Sequence, residues 1–141
     1  MSKTDLAWVA GFFEGEGSVR INSFTKRNWG ALIVSVCNTD KSIIEWFYKN
    51  WPGCFKRATG TNGNRKEAWV WVIASKKAEA FLKEIKPHIK RDIVLEKIST
   101  ALKFQKQKQN CRWIKDKDIY YKRQMRFFLE MKRLNKRGIG L

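Results

Sequence analysis

The sequence predicts one α+β domain in which a leading helix precedes two strand–strand–helix units and two further helices. Its 141 residues are near the usual size of a single domain. Two pairs of segments alternate apolar and polar residues, and helical apolar spacing follows each pair. Glycine and proline separate these segments. The predicted order is α-ββα-ββα, with a core at residues 4–107 and a basic helical extension at residues 108–141.

The first helix and the first ββα unit are predicted from these patterns. Thr4 or Asp5 caps the first helix, and Gly17 ends it. Val19 and Ile21 then alternate with polar residues, as in a half-buried strand. The predicted elements are a helix at 4–15, strands at 18–24 and 31–38, and a helix from 39–40 to 51–53.

The same order recurs in the second unit, although no sequence repeat is detectable. Pro87 ends its helix. The two trailing helices are basic, and their apolar residues have the spacing of ordinary core packing. The predicted elements are strands at 54–59 and 67–74 around a loop at 60–66, and helices at 75–86, 88–107 and 116–134.

The net charge is +17, from 30 Lys and Arg against 13 Asp and Glu. A surplus of this size makes the folded chain repel itself and indicates a polyanionic partner. Seven Trp and nine Phe are interleaved with the charges, which favours a folded nucleic-acid binder over a disordered basic arm. The alternatives are a basic ribosome-associated protein and a membrane-surface protein.

Other classes of protein are disfavoured by the composition. The chain has three cysteines, none of them in a CxxC pair: Cys37, Cys54 and Cys111. This argues against a disulfide framework or a zinc site. The single histidine, His88, excludes sites that need two imidazoles. No secretory signal and no apolar run of ~18–20 residues is present. We therefore expect a reducing compartment, cytoplasmic or organellar.

The first helix carries a stripe of small residues. Ala7, Gly11 and Gly15 are spaced i, i+4 and i+8, so they share one helix face. Glycine within a helix costs about 0.5–1 kcal/mol relative to alanine, which suggests a compensating need. The stripe permits either the close approach of a second helix or a close contact inside the same domain.

Two carboxylates, Glu14 and Glu16, lie at the end of this helix. Acids at a helix C-terminus are disfavoured by about 0.3–1 kcal/mol each. Near a phosphodiester they require an intervening cation, and Mg²⁺ bound by carboxylates and phosphate oxygens is the common solution. The alternative is a pair of acids that form salt bridges to nearby Lys or Arg.

Residues 9–18, VAGFFEGEGS, resemble the signature helix of the LAGLIDADG homing endonuclease family. The α-ββα-ββα order with trailing helices extends the resemblance over at least residues 4–100. It implies a four-stranded antiparallel sheet, shaped as a saddle, that lies in the DNA major groove. It also implies that two signature helices pack across a two-fold or pseudo-two-fold axis, which would explain the small-residue stripe.

Only one signature is present, so the resemblance implies a homodimer with an isologous interface. The interface residues would be Ala7, Gly11, Gly15 and Glu14. The double-stranded DNA target would be palindromic or nearly so. The implied enzyme, intron-encoded or freestanding, makes the site-specific double-strand breaks of intron homing.

The resemblance also implies roles in metal-dependent phosphodiester hydrolysis. Glu16 matches the essential metal ligand, and the Gly15 carbonyl matches a backbone group that supports the metal. Mg²⁺ is the implied cofactor, with Mn²⁺ or Ca²⁺ able to substitute for binding. Lys90, with Arg91 as the alternative, matches a basic residue near the scissile phosphate. Asp40 lies near the polar residue opposite the active site, and it is equally suited to cap a helix.

Candidate base and phosphate contacts follow from the strands and their hairpins. If the apolar strand faces pack on helices, the alternate positions face DNA. Trp69 and Trp71 would then contact thymine methyls or sugars, unless twisting of the strand leaves them covered. The candidate residues are Arg20, Asn22, Lys26, Arg27, Asn28, Ser35, Cys37, Lys56, Arg57, Thr59, Asn62, Asn64, Arg65, Lys66, Trp69 and Trp71.

Two competing functions belong to other classes. One is a non-cleaving nucleic-acid binder on the same fold, either an RNA maturase for intron splicing or a transcriptional regulator. The other is a basic structural RNA-binding protein. The structural RNA-binding protein has no need of a glycine seam, whereas intact Glu14 and Glu16 favour the enzyme over the non-cleaving binder.

Overall fold

The order of helices and strands confirms the predicted α+β arrangement. The computed structural model describes residues 1–24, 29–58, 66–110 and 115–136. Seven of the predicted DNA contacts lie outside these residues: Lys26, Arg27, Asn28, Thr59, Asn62, Asn64 and Arg65. The elements are α1 (Lys3–Glu16), β1 (Gly17–Phe24), β2 (Trp29–Asn38), α2 (Lys41–Asn50), β3 (Cys54–Arg57), β4 (Trp69–Ala74), α3 (Ser75–Ile85), α4 (Asp92–Gln109) and α5 (Lys117–Asn135).

The strands form one antiparallel sheet in the order β1-β2-β4-β3. Val34 of β2 lies opposite Val19 of β1 and Ile73 of β4, and all three are buried in the core. Because side chains alternate across a strand, these positions define a covered face, on which the helices pack. The intervening positions define an open face, which includes Arg20, Ser35 and Lys56.

The core on the covered face is rich in aromatic side chains. Trp71 is 0% exposed, with ring centroids 5.0 Å from Phe47 and 5.1 Å from Phe81. Its indole Nε1 donates a hydrogen bond to the Trp51 carbonyl at 2.7 Å. The side chain therefore satisfies its one polar group inside the protein.

The prediction that Trp69 and Trp71 face DNA is wrong. The register sets Trp71 opposite Val36 and Trp69 opposite Asn38, so both belong to the covered face. Trp69 is half-buried and packs against the core. The alternate residues of β4, Val70 and Val72, lie on the open face instead.

Helix boundaries differ from the prediction at two places. Ser2, rather than Thr4 or Asp5, caps α1, because its hydroxyl accepts a hydrogen bond from the Asp5 backbone N–H at 3.1 Å. α4 begins at Asp92 rather than at residue 88, since Lys86–His88 forms a short 3-10 turn that contains Pro87. Proline favours such a break because it lacks a backbone donor.

Helix α5, which lies in the predicted basic extension, packs against the rest of the domain. α5 packs along α4, and its Met131 is buried in the main core. Asn135 Nδ2 donates to the Val19 carbonyl at 2.7 Å and so covers part of the edge strand β1. Of the helices in the described ranges, none is both long and apolar enough to cross a membrane.

Gly17 is required by a close approach inside the chain. A Cβ atom added there would lie 2.1 Å from Cδ2 of Phe13, far inside contact distance. Phe13 is buried in the core, so its ring has little room to move. The turn from α1 into β1 therefore depends on glycine at this position.

We expect Gly17→Ala to lower the free energy of unfolding by about 1–3 kcal/mol, the usual cost of overpacking. Urea denaturation measures this effect. In a Phe13→Ala background most of the penalty should disappear, because the clashing ring is absent. Equal penalties in both backgrounds would show that the Phe13 ring is not the cause.

Candidate functional site

Glu16 lies at the junction of α1 and β1 and is exposed. The Gly17 N–H donates to the Phe13 carbonyl, and Gly17 is already opposite Val36 in the sheet. Among the described residues, none forms a hydrogen bond or ion pair with the Glu16 carboxylate. The side chain is therefore available to a ligand.

The donors at this helix end suit a hard cation only in part. Carboxylate and carbonyl oxygens are the ligands that Mg²⁺ prefers, and Glu16 and Gly15 offer one of each. Within the described ranges, no group of three or more His, Cys, Asp or Glu could hold a metal ion. These residues fit one part of a metal site.

Glu14 is bound to the chain's own backbone. Its carboxylate accepts hydrogen bonds from the N–H groups of Lys90 at 2.5 Å and Arg91 at 2.8 Å. The Arg91 guanidinium donates back to the Glu14 carbonyl at 3.1 Å. Glu14, which the resemblance placed at a dimer seam, thus joins the end of α1 to the start of α4. It also holds the backbone of Lys90 beside the helix end that carries Glu16.

Asp40 is the N-cap of α2. Its carboxylate accepts from the Ser42 backbone N–H at 3.0 Å and from the Ser42 hydroxyl at 2.6 Å. The hydrogen bond from the Ser42 side chain lowers the pKa of Asp40. Of the two roles considered for Asp40, the helix cap is the one that these contacts show.

The small-residue face of α1 is exposed at Ala7, Gly11 and Gly15. An added Cβ at Gly11 or Gly15 would meet no atom within 4 Å, so neither glycine is needed for packing among the described residues. Trp8, adjacent to this face, is 50% exposed and stacks on Phe12 at 5.3 Å. A close contact with other residues that the structure describes therefore does not explain the stripe.

The remaining predicted DNA contacts differ in their exposure. Asn22 is half-buried and accepts a hydrogen bond from the Ala31 backbone N–H at 3.2 Å, and Ser35 is buried. Arg57 lies opposite Trp69, so it belongs to the covered face of the sheet, and its side chain forms an ion pair with Glu67. The exposed members are Arg20, Cys37, Lys56, Arg57 and Lys66.

Residues that the sequence analysis missed occupy the centre of the open face. They are Ile33, Val70 and Val72, of which Ile33 is in β2 and the others in β4. β4 is apolar at every position, so alternation did not distinguish its two faces. The pairing of Ser35 with Val72 was the missing information.

A cationic cleft opens beside the Glu16 junction, with a volume of about 840 Å³. Gly17 and Ser18 form part of its wall, and no acidic residue contributes to it. Burial, and then repulsion from Arg91, lowers the pKa of Lys97. A bound anion would offset both effects. The basic lining residues are Arg20, Lys97, Lys132 and Lys136.

The fold and the site together define a basic α+β domain with a free carboxylate at a helix end. Solved structures identify the fold as that of the LAGLIDADG homing endonucleases. Comparison of the sequence with protein-family models gave no match, and comparison with curated proteins gave none.

Three solved structures illustrate the similarity. The homing endonuclease I-CvuI, in complex with the I-CreI target DNA, gives a TM-score of 0.73 at 15% identity over 99% of this chain and 86% of that chain. The archaeal intron-encoded homing endonuclease I-Vdi141I, complexed with DNA, gives a TM-score of 0.71 at 14% identity over 96% of this chain and 86% of that chain. The LAGLIDADG homing endonuclease I-GzeII, in complex with its DNA target, gives 0.72 at 22% identity over 96% of this chain and 46% of that chain.

Glu14→Ala should lower the free energy of unfolding by about 1 kcal/mol, because two backbone donors lose a charged acceptor. Amide hydrogen exchange at residues 90 and 91 should become faster. Glu45→Ala is the matched control, since it removes only an exposed pair with Lys41 and should cost less than about 0.5 kcal/mol. Unchanged exchange at both amides would contradict the positioning role of Glu14.

Proposed function

We propose that this protein is a site-specific DNA endonuclease that acts as a homodimer and requires a divalent metal ion. The observation that carries the proposal is the exposed Glu16 carboxylate, unpaired among the described residues, at the end of a helix whose small-residue face is also exposed. The net charge of +17 supports a nucleic-acid substrate. The shared fold of endonucleases solved on DNA supports the choice of DNA.

Dimerisation accounts for both the glycine stripe and the incomplete metal site. Two copies of α1 packed at Gly11 and Gly15 would bring their Glu16 carboxylates to one axis. The chain spans 86% of I-CvuI but only 46% of I-GzeII, so one copy matches about half the length of the I-GzeII chain. The exposed Trp8 would be covered in the same contact.

Each part of the site has a separate task in the proposed reaction. Glu16 from each copy, aided by the Gly15 carbonyl, would hold Mg²⁺ between the subunits. The bound metal would supply activation of water and stabilisation of the charge that develops on the phosphate. Lys90, fixed by Glu14, would lie near the scissile phosphate. One phosphodiester in each strand would be hydrolysed.

Two cationic surfaces of the protein would bind DNA phosphates. The cleft beside Glu16 would hold the backbone close to the scissile bond, through side chains such as Lys97 and Lys132. The open face would enter the major groove, with Arg20 and Lys56 exposed for contact. Contacts of this kind make binding fall steeply as salt rises.

Glu16→Gln should reduce Mg²⁺-dependent cleavage by about a hundredfold or more and leave DNA binding intact. Plasmids that carry candidate target sites, incubated with Mg²⁺ or with EDTA, provide the assay. Glu45→Gln is the matched control, because this glutamate is exposed on α2 and should have no effect. Cleavage that persists in Glu16→Gln would show that Glu16 is not a required metal ligand. Specific DNA binding by the wild-type chain without cleavage in any divalent ion would favour the non-cleaving binder.

The native chain should sediment at twice its mass of 16.7 kDa. Gly11→Leu should convert it to a monomer with an unchanged circular dichroism spectrum, because no atom lies within 4 Å of a Cβ at that position. Leu129→Ala, at an exposed position on α5, should leave the dimer intact. A native monomer at micromolar concentration would contradict the dimer.

A further inference from the structure

Apolar side chains predominate at the centre of the open face. We call Ile33, Val70 and Val72 the apolar strip. Ile33 lies opposite Ala74 and diagonal to Val72, and Val70 is two positions from Val72 on the same face. Ile33 is only 8% exposed, so it contributes little accessible surface to the strip. Val70 and Val72 are half-buried.

Cationic side chains flank the apolar strip on both sides. Arg20 of β1 is opposite Ile33, and Lys56 of β3 is opposite Val70; both are exposed. Both strands are edges of the sheet. The open face therefore combines an apolar centre with a positive charge at each margin. A DNA duplex has the matching pattern, since its phosphates border a groove floor formed by base edges.

Only one base presents an apolar group in the major groove, and that base is thymine, through its C5-methyl group. Adenine, guanine and cytosine present donors or acceptors there, and an apolar side chain would leave these groups without partners. From this we infer that the apolar strip selects thymine at the base steps it contacts in each half-site. This inference rests on the proposed function and specifies its substrate.

A binding selection tests the inference on the full wild-type chain. Duplexes with palindromic, randomised half-sites are selected in Ca²⁺, which permits binding. Each thymine of the selected sequence is then replaced singly by deoxyuridine, which removes the methyl group and keeps the hydrogen-bonding edge. At contacted positions we expect affinity to fall about fourfold for each methyl lost from a half-site.

Variants connect the penalty to individual side chains. Val70→Thr, Val72→Thr and Ile33→Thr keep the β-branched shape and replace a methyl or ethyl group by a hydroxyl. Each leaves only one apolar branch at its position, so it should reduce the deoxyuridine penalty at its own thymine position and leave the others unchanged. Leu129→Thr, an exposed position on α5, is the control and should preserve every penalty. The far-ultraviolet spectrum verifies folding of each variant, and the deoxyuridine series on the wild-type chain needs no substitution at all.

Three outcomes would overturn the inference. The first is a selected duplex without a fixed thymine in either half-site. The second is deoxyuridine penalties below twofold at every position, and the third is penalties that no strip variant alters. All three leave DNA binding intact and therefore do not contradict the proposed function. Failure to select any duplex would instead contradict both.

Discussion

The contact between the Phe13 ring and Gly17 is the constraint on which the candidate site depends. It leaves no room for a side chain at the point where α1 passes directly into β1. Phe13 also packs edge-on against Phe81 of the core at 5.5 Å. Glu16, between the helix and the strand, is therefore carried by two rigid elements rather than by a loop. Such support is what a precise ligand-binding position requires.

Neighbouring residues of the same type have opposite tasks in this segment. Gly17 is enclosed by the chain, whereas Gly11 and Gly15 meet nothing in it. Glu14 is bound to the backbone at the start of α4, whereas Glu16 is exposed to solvent. Gly17 and Glu14 build the domain, whereas Gly11, Gly15 and Glu16 remain available for a second molecule. This division explains why glycine and glutamate recur within seven residues despite their cost to the helix.

Much of the fold could be predicted from local pattern, because each strand pair and helix has its own periodicity. Which side of β4 faces the helices could not be predicted in this way, since both its faces are apolar. The answer depends on the register with which β4 pairs with β2. Trp71 can be buried because its indole nitrogen donates a hydrogen bond to the carbonyl of Trp51, 20 residues away in the sequence. The role of Glu14 depends on Lys90, 76 residues further along the chain. No local spacing reports contacts of that range.

The hydrogen bond from Asn135 to the Val19 carbonyl has a consequence for biosynthesis. It joins residues 116 positions apart, so this contact with β1 forms only after α5 has left the ribosome. Until then the outer edge of β1 presents unpaired backbone groups, which can pair with strands of other chains. During translation, the strand that follows Glu16 thus emerges well before the helix that shields its edge.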